Sequence, residues 1–100
     1  MMLDIKKNWD GSALTVSLSG RLDTTTAPQL EEELKNSLDG VTDLTLDLAQ
    51  LEYISSAGLR VVLSAQKIIS KRGQMTVTHV NETVMEIFEV TGFADILTFA

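Results

Sequence analysis

The residues best suited to chemistry lie in one short stretch, Tyr53-Ile54-Ser55-Ser56-Ala57-Gly58-Leu59. Two adjacent hydroxyls stand where an irregular segment turns into a helical period, and two small residues follow. A helix starting there presents unpaired backbone N–H groups and the positive end of its dipole, which suits an anion. A phosphate attached to one of the hydroxyls meets the same field. Serine at a helix start is also a good N-cap, and both readings fit these residues.

Other chemistries are less well supported. His79 is the single histidine, and its place in an alternating run predicts an inward, satisfied ring rather than a catalytic one. A Ser56–His79–Asp23 triad lacks the glycine-flanked elbow that exposes a nucleophilic serine, and no oxyanion loop accompanies it. Neither GxxxxGK[ST] nor GxGxxG occurs, so no nucleotide-phosphate loop is expected. The absence of cysteine excludes disulfides, thiolate zinc sites and thiol nucleophiles. Asp39, Asp43 and Asp47 lack the glycine and glutamate of a calcium loop. The run Glu31-Glu32-Glu33 complements a helix dipole. No catalytic residue, cofactor or metal is expected.

Acidic residues number 14 against 8 basic ones, for a net charge of −6, and the cations are scattered. Such a surface is repelled by nucleic acid phosphates and by anionic lipid headgroups. The apolar runs fall far short of the ~20 residues that span a bilayer. Asp4 interrupts the apolar patch of Met1 to Lys7 and the lysines follow it, the wrong order for a signal peptide. A cytoplasmic location is expected, with one domain over residues 1–100.

The elements that position the hydroxyls follow from periodicity. Leu3 to Trp9 alternates loosely, and Asp10-Gly11 signals a hairpin turn. Leu14, Val16 and Leu18 alternate with Thr15, Ser17 and Ser19 up to Gly20. From Thr26 the period becomes helical through Ala27, Leu30, Leu34 and Leu38. Thr26 and Gln29 form a capping box, Pro28 sits in the first turn, and Gly40 is the stop. Asp43 to Leu48 alternates again. A second helix from Ser55-Ser56 to about Arg72 carries Leu59, Val62, Leu63, Gln66 and Ile69, with Gly73 as its C-cap. Met75, Val77 and His79 predict a fourth strand, and Asn81 caps a helix carrying Val84, Ile87 and Phe88 that ends near Gly92. The apolar tail Phe93 to Ala100 has no assignment.

The order β-β-α-β-α-β-α predicts an α/β fold with parallel later strands and right-handed crossovers. Alternation leaves one sheet face wet, so the helices belong mainly on the other. The expected sheet is four-stranded and mixed, in order 1-2-3-4, with the first strand antiparallel. Thr15, Ser17, Thr45 and Asp47 should be more exposed than Val16, Leu18, Leu46 and Leu48. Sites in such sheets collect beyond the carboxyl strand ends, which places Asp23 and Thr24 near Ser56. The expected partner surface is Asp23, Thr24, Ile54, Ser55, Ser56, Ala57, Gly58 and Arg60, with Arg60 suited to a partner carboxylate. On that reading Gly58→Leu crowds the contact, weakening binding while barely moving the thermal midpoint.

Three stretches, in this order, resemble the STAS-domain anti-sigma factor antagonists. They are Ser19-Gly20-Arg21-Leu22-Asp23, then Leu44-Thr45-Leu46-Asp47-Leu48 leading into Tyr53-Ile54-Ser55-Ser56-Ala57-Gly58-Leu59-Arg60, then Phe88-Glu89-Val90-Thr91-Gly92-Phe93. The resemblance spans essentially the whole chain. It implies a bacterial partner-switching module without catalytic activity. In that family the unphosphorylated domain binds an anti-sigma factor that is also an ATP-dependent serine kinase, and so frees a sigma factor. The kinase phosphorylates a serine at the start of the second helix and is released, and a metal-dependent serine phosphatase resets the switch. Counting back two from Gly58 puts the acceptor at Ser56. Ser55 stands where the family often has aspartate and is the alternative acceptor; Ala57 stands where serine or threonine often follows. Asp23 matches the acidic position facing the acceptor, and capping the first crossover helix is a compatible role. The resemblance further implies a cytoplasmic phosphoprotein, monomeric when free, with no direct contact to nucleic acid or membrane. Related domains serve as signalling scaffolds and as a small subunit of lipid-transport ATPases. That subunit needs no phosphoacceptor and is the second reading.

Overall fold

Alternating polarity builds a four-stranded sheet in the order β1-β2-β3-β4, seen in a computed structural model that describes residues 3–100. The reading of Met1 to Lys7 falls partly on Met1 and Met2, outside the described residues. The elements are β1 (Leu3–Asp10), β2 (Ala13–Leu22), α1 (Ala27–Ser37), β3 (Asp43–Ile54), α2 (Ser56–Ser70), β4 (Gln74–Thr78) and α3 (Glu82–Val90), then a short 3-10 turn, Phe93–Asp95. β1 pairs antiparallel with β2, and the remaining pairs are parallel. This is the expected mixed α/β sheet.

Register separates the faces. Val16 pairs with Leu46 and Leu46 with Val77, while Thr15 pairs with Thr45 and Thr45 with Thr76. Leu14, Val16, Leu18, Leu44, Leu46 and Leu48 are each at most 1% exposed, whereas Thr15, Ser17, Thr45 and Asp47 are half-buried. The predicted register holds. The helices bring Leu30 and Leu34 from α1, Leu59, Val62 and Ile69 from α2, and Val84 and Phe88 from α3 into one core with the inward sheet face. Burial of a leucine of this kind contributes about 1.5–3 kcal/mol.

β2 and β3 both run further than alternation indicated. Pairing steps from Ser17↔Asp47 to Ser19↔Gln50, then from Gly20↔Leu51 to Arg21↔Tyr53, so β3 twice carries an extra residue. At the first irregularity the Ala49 N–H donates to Asp47 Oδ1 at 3.1 Å. Gly20, at φ 102°, lets β2 continue through it rather than close there. Bulges of this kind bend the strand and raise its twist. Across them the core positions Leu48, Leu51 and Ile54 recur every third residue, which period-two counting misses.

Other local expectations are corrected. Thr26 and Gln29 make no capping box, because the Thr26 hydroxyl donates to Arg21 O at 2.7 Å and accepts from the Asp23 N–H at 2.9 Å. Gln29 instead donates to Leu3 O at 3.1 Å, tying α1 to β1. Gly73 is not a left-handed C-cap; its small size serves a close approach to Thr42. β4 ends at Thr78, and His79 at φ 57° leaves the strand alternation. Its ring is therefore not inward but 68% exposed, with Nδ1 3.1 Å from Asp47 Oδ1. The unassigned tail packs beside β4: Val77 N–H donates to Thr98 O and Ala100 N–H to Val77 O. The Phe99 ring lies 5.7 Å from that of Phe88.

Candidate functional site

The β2–α1 and β3–α2 junctions meet at the carboxyl edge of the sheet. The Ser55 N–H donates to Leu22 O at 2.9 Å, so the β2–α1 junction that carries Asp23 and Thr24 adjoins the head of α2, which Ser56 opens.

The two serines have different tasks. Ser55 is extended, at φ −98° and ψ 175°, and its hydroxyl accepts from the Gly58 N–H at 3.3 Å. It is the N-cap, half-buried and occupied. Ser56 is the first residue of α2, is exposed, and its hydroxyl has no hydrogen-bond partner among the described residues. The N–H groups and dipole of the first turn give it a positive local field. Ser55→Ala should therefore cost about 1 kcal/mol in a denaturation experiment while leaving the neighbouring hydroxyl intact.

Asp23 builds the adjoining turn. Its Oδ1 accepts from the Thr25 hydroxyl at 2.7 Å, the Thr25 N–H at 3.0 Å and the Thr26 N–H at 3.1 Å. The Thr25 hydroxyl is the largest influence lowering the carboxyl below its ordinary 3.8; partial desolvation opposes it, and the Thr25 and Thr26 amides and the Thr26 hydroxyl assist. A lowered folded value means the unfolded chain binds more protons in the window between the two values. The contribution of Asp23 is thus present above its ordinary value and lost as pH falls through the folded one. Urea midpoints of wild type and Asp23→Asn should be fully separated above about pH 4 and draw together as the pH falls below it, through the lowered folded value. Arg21 completes this corner, its Nε 3.7 Å from Asp23 Oδ2 and its guanidinium 4.4 Å over the Tyr53 ring.

Thr24, Ala57 and Arg60 come together along a groove of about 340 Å³ between α1 and α2. Pro28, Glu31, Val61 and Ser64 also line it, and sequence reasoning did not select them. Their signal was present as four-residue spacing: Ala57 with Val61, Arg60 with Ser64, Ala27 with Glu31. The rotation that turns those faces toward each other depends on the packing of both helices.

Two expected surface residues are not on the surface. Ile54 is 1% exposed and Gly58 is buried, so neither lines the partner face. A Cβ at Gly58 would stand 2.7 Å from Leu22 Cγ and 3.0 Å from both Ile54 Cγ1 and Leu22 O. Gly58 lets the start of α2 seat on the end of β2. Gly58→Leu should accordingly lower stability by at least about 1–3 kcal/mol rather than spare the thermal midpoint. An unchanged midpoint in a thermal scan would contradict this packing.

His79 has Asp47 as its hydrogen-bond partner, and no group of three or more metal-ligating side chains forms among the described residues. No helix among them is long and apolar enough to cross a membrane.

The family model described as "Mlab, STAS domain" matches residues 5–98. A Bordetella bronchiseptica protein named as an anti-sigma factor antagonist, BtrV, is 40% identical over 89 residues, covering 87% of this chain and 77% of its own. The anti-sigma-B factor antagonist of Bacillus subtilis is 29% identical over 96 residues, covering 95% and 86%. Among solved structures, an anti-sigma factor antagonist from Mycobacterium paratuberculosis matches with a TM-score of 0.88 at 22% identity, over 98% of this chain and 85% of that one. Fold, family match and relatives agree: the chain belongs to the STAS-domain family of anti-sigma factor antagonists.

Proposed function

We propose that residues 1–100 act as one cytoplasmic STAS domain that antagonises an anti-sigma factor by partner switching. The unphosphorylated form binds an anti-sigma factor serine kinase and frees its sigma factor. The kinase then transfers the γ-phosphoryl group of ATP to Ser56 Oγ. The new O–P bond replaces the bond to ADP, and the hydroxyl proton passes to a base of the kinase. The modified domain is released, and a serine phosphatase returns it by hydrolysis. The domain itself is non-catalytic, needs no cofactor, touches neither nucleic acid nor membrane, and is a monomer when free.

One observation carries this reading. At the head of α2 Ser55 is consumed by the cap, whereas Ser56 is exposed. Thr24, Ala57 and Arg60 line the α1–α2 groove, and Asp23 builds the adjoining turn. The names of the relatives supply the class of partner.

The test is phosphopeptide mapping after incubation with ATP and the kinase that co-purifies from native cells. Phosphate is expected on Ser56, lost in Ser56→Ala and retained in Ser55→Ala. Phosphate on Ser55 alone contradicts the assignment. Phosphate on neither, with an ATPase as the co-purifying partner, would favour a stand-alone subunit of a lipid-transport ATPase or a signalling scaffold.

A further inference from the structure

Taking Ser56 as the phosphoacceptor, a reading on which this step rests, we propose that the phosphate captures Arg60 across one turn of α2. The capture withdraws that arginine from the partner groove. Phosphorylation then acts twice, by adding charge and by removing a donor the partner needs.

The first turn of α2 narrows the choice of residue. Ala57 is half-buried, and Gly58 and Leu59 are buried, so Ser56 and Arg60 are the exposed pair of residues 56–60. They stand four apart in an unbroken helix, Ser56–Ser70, the spacing at which side chains meet. Long helical side chains lean toward the N-terminus, so Arg60 covers the turn that Ser56 opens.

Availability also singles out Arg60. Arg21, the other arginine of this corner, is held by Asp23 and the Tyr53 ring. Arg60 makes no ion pair among the described residues and shares its groove with the carboxylate of Glu31. A phosphoserine carries about −1.5 to −2 charges and three acceptor oxygens, and a guanidinium binds such a group through two parallel N–H bonds. The phosphate therefore outcompetes Glu31, or a partner carboxylate, for the same fork. Asp23 is the nearby acid that opposes the added charge, and it is already occupied by Thr25 and Thr26.

The test needs no kinase. Phosphoserine is installed at position 56 during translation, and its second ionisation, ordinarily near pH 6, is followed by phosphorus NMR. In the otherwise unchanged chain it is expected about half a pH unit lower than in the Arg60→Gln variant. The Arg60 Nε–H signal should shift and sharpen only when the phosphate is present. Arg60→Lys should keep part of the lowering, as a point charge without the fork, and Arg21→Gln should leave the titration unchanged. Identical titrations with and without Arg60, or an effect that follows Arg21 instead, overturn the capture. Neither result touches the acceptor reading, which fails separately if the kinase leaves Ser56 unmodified.

Discussion

Phosphate on Ser56 is expected to weaken binding to the anti-sigma factor kinase by about two to four powers of ten while the domain stays folded. The two halves of that expectation have different origins. In the free protein the charge lands on an exposed hydroxyl in the first turn of α2. The helix dipole favours it there by about 0.3–1 kcal/mol. In the complex, a partner closing over the same hydroxyl strips water from the phosphate. Arg60 offsets only one of the phosphate's about −1.5 to −2 charges and is itself withdrawn from the partner. Buried charge left uncompensated in this way costs on the order of 3–5 kcal/mol, and each ~1.4 kcal/mol is one decade of affinity. The interface penalty is larger than the local gain, so release wins over unfolding. Calorimetric titration of both forms against the kinase measures the first half, and a thermal scan the second. Ser56→Ala should bind normally and ignore ATP. Ser56→Asp should bind poorly, though its single charge understates the phosphate. A phosphorylated protein that binds as tightly as the unmodified one contradicts the switch.

Gly73→Ala should cost more stability than alanine at Gly11, Gly40, Gly58 or Gly92. A Cβ at Gly73 would lie 1.6 Å from Thr42 O and 2.5 Å from Thr42 C. Both are backbone atoms, with no flexible side chain to swing away. The same carbonyl accepts the Gln74 N–H at 2.9 Å, and the Thr42 N–H donates to Ser12 O at 3.0 Å, so moving Thr42 disturbs the start of the β3–β4 pairing. Arg72 resists relaxation by donating to Val41 O at 2.8 Å and to Leu38 O. Overpacking commonly costs about 1–3 kcal/mol, and a rigid backbone clash belongs at or above the top of that range. A loss of about 3 kcal/mol lowers the midpoint of a domain this size by roughly 12–24 °C. Gly40→Ala is the control. Its φ is +80° but nothing lies within 4 Å, so it should cost only the left-handed backbone penalty of about 1–2 kcal/mol. Equal urea midpoints for the two variants would show that the junction yields.

Polarity patterns carried the architecture because strand alternation and helix spacing are direct consequences of which side faces water. Leu14, Val16 and Leu18 declare their strand and its inward face without any partner. The misreadings fall where a second element sets the geometry. Ala49 and Gln50 break the alternation because β3 bulges against β2, which hid the strand's continuation to Ile54. His79 reads as inward by parity, but its positive φ takes it off the strand. Thr26 reads as a cap by type, yet Asp23 and Arg21 claim its hydroxyl. At the site, the order of elements was enough to bring Asp23 beside Ser55. Whether Ile54 and Gly58 faced a partner or the core could not be read from their types, because apolar and small residues serve both. The contact of Gly58 with Leu22 settles it. The groove residues Glu31, Val61 and Ser64 required the relative rotation of two helices, which neither helix encodes alone.

The most direct test of partner switching at Ser56 is to isolate the protein from its own cells, separate phosphorylated from unmodified chains, and map the phosphate by mass spectrometry. The prediction is phosphate on Ser56 and not Ser55, with the anti-sigma factor accompanying only the unmodified fraction. Phosphate absent from Ser56, or a partner retained equally by both fractions, would contradict it.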